Sequence, residues 1–248
     1  AWVCNFSKVK LEKLHTQQTS AFQDLRKKFQ NESEKNLKTK LKSEKLELSL
    51  SDTLLKKLFK TEQGNPNSHK LVLTLYRPFT KMWVCSSKTF IDRPGKTEEF
   101  MDLKVDNILL TLNGNGARNG FSSLVANNVT NLNLLDGGCR VFPLYIKKNN
   151  LEQDEGLFSK EETEEYVSCL NPEIVKRFSI FNFGKKVTEW EIFYFLYAFL
   201  HNPDYRKIFS NNLAKSVPRT PIPKTSDEFM NYIEFGKKLV KLHLEYEN

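Results

Sequence analysis

The residue pattern most capable of chemistry in this chain is a glycine-rich stretch that carries three side-chain amides and one arginine. It covers residues 113–123 and reads Asn-Gly-Asn-Gly-Ala-Arg-Asn-Gly-Phe-Ser-Ser. Glycine permits positive φ and close approach of the backbone to a ligand. Arginine and asparagine form paired hydrogen bonds with the edges of guanine and adenine. The stretch is therefore a candidate phosphate cradle, a candidate recognition loop, or a plain turn between two strands.

The residues after the glycines separate the first two alternatives. A phosphate-binding glycine loop opens a helix, because the helix N-terminus supplies the amides and the dipole. Gly120 is succeeded by Phe-Ser-Ser-Leu-Val-Ala and then by a series of asparagines, which is not a helical pattern. We therefore expect a strand after the loop, which disfavours a cofactor cradle and leaves the recognition loop and the plain turn.

Periodicity, turn signals and capping residues predict an α+β fold with an N-terminal helical segment, a central mixed β-sheet region with long loops, and a C-terminal helical bundle packed against it. Ser7 is placed to cap a helix over residues 8–30, and a short helix is expected over 51–59. Candidate strands cover residues 71–76, 82–85, 107–112, 121–126 and 139–146. Further helices are expected to begin at Asn171, Thr188, Asn202 and Thr225.

These elements suggest three segments. Residues 1–64 would be a helical segment, residues 65–148 a β-rich part, and residues 149–248 a helical part of the same domain, opened by an acidic loop over 149–165. The aromatic run at residues 192–200 could suggest base stacking. Because it occupies successive positions of one helix, its rings point in all directions, which favours a buried core helix.

Charge is distributed unevenly along the chain. Residues 1–60 hold 14 Lys and Arg against 7 Asp and Glu, and residues 61–148 hold 11 against 7. Residues 149–248 reverse the balance, with 13 against 16. A positive field over the first three-fifths of the chain is expected of a protein that faces a polyanion, although a solvated lysine-rich helix would give the same composition.

The residue types needed for catalysis do not occur at credible spacings. The four cysteines are far apart and form no Cys-x-x-Cys pair, so we expect reduced thiols and no metal site. No Walker-type phosphate loop is present. Two Asn-Pro steps, at residues 171–172 and 202–203, lack the second proline and the aromatic residue of an adenine methyltransferase loop and are better interpreted as helix starts. We predict no catalytic residues in this chain.

Several blocks resemble, in order, the C-terminal part of single-polypeptide restriction-modification enzymes, usually called type ISP. The Tyr-Arg-Pro-Phe-Thr-Lys-Met-Trp block at residues 76–83 and the Val-Phe-Pro-Leu-Tyr block at residues 141–145 are the most specific. The remaining blocks are residues 2–7, 91–94, 113–135, 191–206, 218–221 and 242–244. The resemblance covers most of the chain.

The resemblance implies that this chain is the target recognition domain of an adenine-specific DNA methyltransferase, and a fragment of a longer polypeptide. The S-adenosylmethionine-binding and Asn-Pro-Pro-Tyr motifs of such an enzyme would lie upstream, and the parent could also use ATP and Mg. Duplex DNA and the upstream methyltransferase domain would be its partners, in the cytoplasm and not at a membrane. Whether the parent retains nuclease and motor activity stays open.

On this interpretation the loops of the β-rich region would read bases and the basic half would bind phosphates. The candidates for base readout are Asn113, Asn115, Arg118 and Asn119. The candidates for phosphate contact are Lys81, Lys88, Arg93, Arg140, Lys147 and Lys148.

Two other function classes remain. The chain could be a protein-interaction module, whose helical C-terminal half packs on a partner or on the rest of the same polypeptide; this would show no DNA affinity. It could also be an independent enzyme whose catalytic residues are brought together only by folding. Perturbed ionisable groups clustered in one deep pocket would indicate the enzyme.

Overall fold

The computed structural model describes residues 3–29, 36, 70–87, 89–91, 105–148, 166–181 and 186–247. By its internal contacts the chain divides into two compact units. The first unit comprises residues 1–74 and 81–95, and the second comprises residues 75–80 and 96–248.

The described residues form an α+β fold, as the sequence predicted. The strands are β1 (Cys4–Asn5), β2 (Leu71–Arg77), β3 (Thr80–Cys85), β4 (Leu109–Leu112), β5 (Ser123–Ala126), β6 (Val129–Thr130), β7 (Arg140–Pro143), β8 (Tyr145–Lys147) and β9 (Tyr166–Ser168). The helices are α1 (Lys8–Lys28), α2 (Pro172–Phe181), α3 (Glu189–Leu200), α4 (Pro203–Ile208), α5 (Ser210–Leu213) and α6 (Ser226–Leu244).

The first unit is built around α1. The Ser7 side chain accepts a hydrogen bond from the Lys10 N–H, which is the predicted N-cap. The Phe22 ring, buried on α1, meets Phe90 edge to face at 5.4 Å between centroids, and His15 meets the same ring at 5.6 Å. β1 pairs antiparallel with β3 in this unit. Burial of one apolar stripe of the helix therefore holds the unit together.

The second unit has a three-stranded antiparallel sheet with β4 between β5 and β7. Leu112 at the end of β4 lies opposite Ser123 and Arg140. β8 pairs with β9 in a separate antiparallel ladder. Every residue of β5 is buried, so this strand lies inside the unit and the loop before it is held at a fixed position.

Helices α3 and α6 support this sheet. The Thr188 hydroxyl and the Glu191 carboxylate form the predicted capping box at the start of α3. The aromatic run is a core helix, as expected, with Phe193, Phe195 and Tyr197 buried. A Cβ placed on Gly236 of α6 would overlap the Tyr194 carbonyl oxygen. The two helices therefore approach backbone to backbone, which only glycine permits.

Short strands account for most differences from the predicted elements. The strand expected over residues 139–146 is two strands, because β7 pairs with β4 whereas β8 pairs with β9. β9 lies in the part expected to be helical, and β1 and β6 had no sequence signal. The helix expected over 51–59 and the acidic loop at 149–165 lie outside the described residues. No helix in the described ranges is long and apolar enough to cross a membrane.

Candidate nucleic-acid interface

The glycine-rich stretch is the connection between β4 and β5, so it joins two antiparallel strands. The expectation that it does not open a helix is confirmed, and with it the argument against a phosphate cradle. Asn113 closes the base of the loop: its backbone N–H donates to the Ser122 carbonyl at 3.2 Å, and its side-chain oxygen accepts from the Ser122 N–H at 3.1 Å. Its side-chain amide also donates to the Gly120 carbonyl.

Two glycines of the loop adopt conformations that other residues avoid. Gly116 has φ of 71° and Gly120 has φ of 75°. A third, Gly114, is required by contact, because its Cβ would lie 2.8 Å from the Gly138 carbonyl oxygen. The loop is therefore packed directly against the backbone of the turn at residues 136–138. The loop can therefore adopt this shape only with glycine at these three positions.

Asp136 in that turn holds the middle of the loop. Its carboxylate accepts the Arg118 N–H at 2.8 Å and contacts the Arg118 guanidinium at 3.3 Å. The backbone N–H of Gly137 and then that of Arg118 lower the pKa of the Asp136 carboxyl. The Asp136 side chain is 10% exposed, whereas that of Arg118 is 88% exposed. Asp136 thus fixes the backbone at Arg118 while most of the arginine side chain extends into solvent.

A third contact ties the loop to a distant part of the chain. The Gly116 N–H donates to the Ala214 carbonyl at 2.9 Å, just after α5. The loop is therefore held at its base by Asn113, in its middle by Asp136 and at its tip by Ala214. All three restraints use backbone groups of the loop, and the Arg118 side chain adds a second contact to Asp136.

The predicted base-reading residues differ in solvent exposure and in hydrogen bonding within the protein. Asn115, Arg118 and Asn119 are exposed. Asn113 is half-buried and its amide is engaged within the loop, a role that sequence reasoning missed. The readout role of all four stays a prediction. A loop that presents exposed asparagine and arginine on a fixed backbone has the composition needed to contact base edges.

The predicted phosphate contacts are less clustered. Lys81 lies on β3, in the first unit. In the second unit, Arg140 begins β7, Lys147 ends β8, and the exposed Lys148 comes directly after it. Lys88 and Arg93 lie outside the described residues. The role of all six residues in phosphate binding stays a prediction.

Polar side chains also form a buried cluster around Tyr197 on α3, which the sequence did not reveal. The Tyr197 phenol oxygen accepts the Val125 N–H at 3.1 Å and shares a hydrogen bond with His243 Nδ1. His201 Nδ1 lies 2.8 Å from the Tyr197 carbonyl, and His201 Nε2 lies 3.5 Å from Ser123 Oγ. We call Tyr197, His243, His201, Ser123 and Arg206 the buried polar cluster.

Ionisable groups in this cluster have perturbed pKa values because they are buried. Burial lowers the pKa of His201 to about 4, against its hydrogen bond to the Tyr197 carbonyl. Burial raises the pKa of the Tyr197 phenol and lowers those of Arg206 and His243. Desolvation of this kind favours the neutral forms of His and Tyr.

Geometry argues against nucleophilic catalysis by the Ser123–His201 pair. Ser123 is 7% exposed, and the Arg206 guanidinium donates to its Oγ at 3.1 Å. His201 Nδ1 is paired with a main-chain carbonyl rather than a carboxylate. A cleft of about 700 Å³ between α3 and α6 is lined by His201, but both ring nitrogens already have partners. The cluster therefore fastens β5 to the helices, and the described residues hold no group of three metal ligands.

Three solved structures are similar to this chain over its whole length. The DrdV–DNA complex matches with a TM-score of 0.80 and 21% identity, over 100% of this chain and 22% of that one. The ATP-dependent Type ISP restriction-modification enzyme LlaBIII bound to DNA matches with a TM-score of 0.76 and 26% identity, over 100% and 15%. A nuclease-deletion mutant of the Type ISP restriction-modification enzyme LlaGI, in complex with a DNA substrate mimic, matches with a TM-score of 0.76 and 24% identity, over 100% and 18%.

This chain therefore spans less than a quarter of the length of each of those three. No curated protein matches it. The family described as the Type ISP C-terminal specificity domain matches residues 1–248, which is the whole chain. The chain therefore belongs to the Type ISP C-terminal specificity domain family, which is the family that the sequence resembles.

Proposed function

We propose that this chain is the DNA target recognition domain of a restriction-modification enzyme, and that it reads duplex DNA through the loop between β4 and β5. The observation that supports it is the construction of that loop. Its backbone is held by Asn113, Asp136 and Ala214, while Asn115, Arg118 and Asn119 extend outward. A fixed backbone with exposed amide and guanidinium groups is suited to hydrogen bonding at base edges.

The parent polypeptide, on this proposal, is an adenine-specific DNA methyltransferase. It would bind S-adenosylmethionine, with ATP and Mg if it also carries a motor and nuclease, all upstream of residue 1. Residues 1–64 would link to that core, and residues 65–148 and 149–248 would be the β-rich and helical parts of the recognition domain. Bound in this way, DNA would be positioned in the cytoplasm for extrusion of the target adenine into the methyltransferase domain.

Selection from a random duplex library tests the recognition function directly. The 248-residue chain is incubated with the library at about 50 mM salt, and bound DNA is sequenced over several rounds. We expect one short word to be enriched, and affinity for that word to fall linearly with the logarithm of salt concentration. Absence of binding, or binding with no enriched word, would remove the proposal.

Sequencing of the coding region upstream of residue 1 tests the parent. An Asn-Pro-Pro-Tyr-type motif preceded by a glycine-rich S-adenosylmethionine loop is the expected result. An unrelated domain or a stop codon there would separate this chain from a methyltransferase without affecting the DNA selection result.

One observation favours a second function, docking on another protein surface. Helix α6 exposes the apolar side chains of Phe235 and Leu242, two turns apart on one face, which are 66% and 68% exposed. An interaction module would use such a face and would show no salt-dependent DNA affinity. The library selection separates the two functions, because only the DNA-reading function predicts an enriched word.

A further inference from the structure

A basic segment lies within the half of the chain that is acidic overall. Between residues 205 and 225 there are five basic residues and no Asp or Glu, although residues 149–248 hold 13 basic and 16 acidic residues. The five are Arg206, which belongs to the buried polar cluster, and the exposed Lys207, Lys215, Arg219 and Lys224. Local clustering of positive charge is what marks a phosphate-binding surface, and the average over a hundred residues conceals it.

This segment contacts the loop between β4 and β5, residues 113–122, which we call the recognition loop. The Ala214 carbonyl accepts the Gly116 N–H at 2.9 Å, so Lys215 is one residue from a direct backbone contact with that loop. The two stretches are 98 positions apart in sequence, yet this hydrogen bond joins their backbones within the second unit.

Main-chain and hydroxyl groups give the segment a defined shape. The Asn212 carbonyl accepts the N–H groups of Lys215 and Ser216 at 3.0 and 2.9 Å, and the Ser216 hydroxyl at 3.0 Å. Farther along, the Tyr205 phenol donates to the Arg219 carbonyl at 3.0 Å. The turn after α5 is therefore fixed by its backbone, as the recognition loop is.

Four polar side chains of this segment are exposed and have no partner among the described residues. Asn211, Asn212, Lys215 and Arg219 are exposed. Their side chains form no hydrogen bond or ion pair with the described part of the chain. A cleft of about 640 Å³ opens between Asn212, Ser216 and Arg219, with Phe209 and Tyr205 behind them. Exposed cations without acidic partners keep their full charge available to an anion.

We propose that residues 209–219 form a second DNA-reading segment, which acts together with the loop at residues 113–120. Lys215 and Arg219 bind backbone phosphates, and Asn212 hydrogen-bonds to a base edge. The inference rests on the proposed function, and it adds residues that the sequence analysis did not select. Phosphate contacts set register and affinity, and the amide contact contributes to the recognised word.

The phosphate role is tested with a charge-matched pair of double variants in the 248-residue chain. Lys215→Ala with Arg219→Ala removes two exposed cations from the segment. Lys176→Ala with Arg177→Ala removes two exposed cations from α2 and is the control. We expect the first pair to weaken binding roughly tenfold for every sequence and to reduce the salt slope by about 2, whereas the control leaves both unchanged.

The base-reading role is tested with Asn212→Ala, and Asn231→Ala on α6 is the control. Both asparagines are exposed, and the carbonyl contacts of Asn212 survive the change. Repeating the library selection should show a preference relaxed about tenfold to a hundredfold at one or two base pairs for Asn212→Ala only. Thermal melts of all variants should coincide with that of the unmodified chain, since none of these side chains is buried.

The outcomes are distinguishable. If the unmodified chain binds no DNA, the proposed function and this inference both fail. If it binds with a preference that Arg118→Ala relaxes, but the Lys215/Arg219 pair behaves as its control and Asn212→Ala retains the word, the proposed function stands and this inference is overturned.

Discussion

The proposed recognition loop and the buried polar cluster both use arginine and serine, but in opposite settings. Arg118 in the loop has an 88% exposed side chain, whereas Arg206 in the cluster is half-buried and bonded to Ser123 and the Leu200 carbonyl. Burial shifts the pKa values of His201, Tyr197 and Arg206, whose hydrogen-bond partners are all within the protein. Perturbed ionisable groups here mark support for the fold, and the exposed groups are the ones left to contact a ligand.

The two regions meet at neighbouring residues. Asn113 of the loop bonds to Ser122, and Arg206 and His201 of the cluster contact Ser123. The Arg206 guanidinium also lies 5.5 Å from the centre of the Phe121 ring. The buried polar cluster therefore contacts the residues at which the proposed recognition loop ends and β5 begins.

The largest expected effect is on the helix pair that carries the cluster. Gly236→Ala should lower the free energy of unfolding by about 3 kcal/mol, because its Cβ would overlap the Tyr194 carbonyl and overpacking outweighs the gain in helix propensity. Chemical denaturation measures it. Gly137→Ala in the turn beside the loop has open space and is the control, expected within about 0.5 kcal/mol of the unmodified chain. Equal losses in the two variants would contradict the close helix contact.

Arg118→Ala should leave the fold intact and change DNA recognition instead. We expect a change in unfolding free energy below about 0.5 kcal/mol and a loss of ~1–3 kcal/mol of discrimination at one base pair. Lys147→Ala is the comparison variant: it should weaken binding to all sequences and reduce the salt slope by about 1. Selected libraries and salt titrations measure both. An unchanged word and affinity for Arg118→Ala would show that the loop does not read bases.

Tyr197→Phe should lower the stability of the fold without changing the recognised DNA word. Removal of the phenol leaves the buried Val125 N–H without its acceptor and should cost about 2 kcal/mol of unfolding free energy. The enriched DNA word should stay the same. A shifted word in the variant that melts at a lower temperature would mean that the cluster takes part in readout.

Acidification should weaken the fold through His201. Its pKa is about 4 in the folded chain, against about 6.5 when unfolded, so the neutral ring is preferred in the fold. Stability is complete above pH 6.5 and falls as pH is lowered from 6.5 to 4, because the unfolded chain takes up the proton first. Arg206 and His243, which face this ring, act in the same direction.

With allowance for solvent reaching the partly exposed ring, we expect a loss of about 1–2 kcal/mol over that range from this residue. His201→Asn should flatten that part of the pH profile, measured as unfolding free energy at about pH 7, 5.5 and 4. A profile that is the same with and without the histidine would contradict its burial as a neutral group.

Local signals made much of the fold predictable. The caps at Ser7, Thr188, Asn202 and Thr225 lie within a few residues of the N–H groups that they bind, so sequence alone identifies them. β6 and β9, of two and three residues, carry too few positions to show alternation. The glycines and side-chain amides of the loop were enough to identify it as a candidate site from the sequence.

The contacts that hold that loop were not readable. Asp136 binds it from 18 residues away and Ala214 from 98, in the second case through a carbonyl that every residue possesses. The buried polar cluster likewise unites residues of β5, α3, α4 and α6. The positive segment at 206–224 is present in the sequence, but a charge count over residues 149–248 combines it with the acidic residues around it.

The bond between Gly116 and Ala214 has a consequence for how this surface can diversify. It joins two main-chain groups, and the contact of Gly114 with Gly138 is also between backbones. Substitutions at Asn115, Asn119 or Asn212 therefore change the outward chemistry without disturbing the frame that carries it. On the proposed function, such a frame would let the recognised word change one side chain at a time while the fold stays the same.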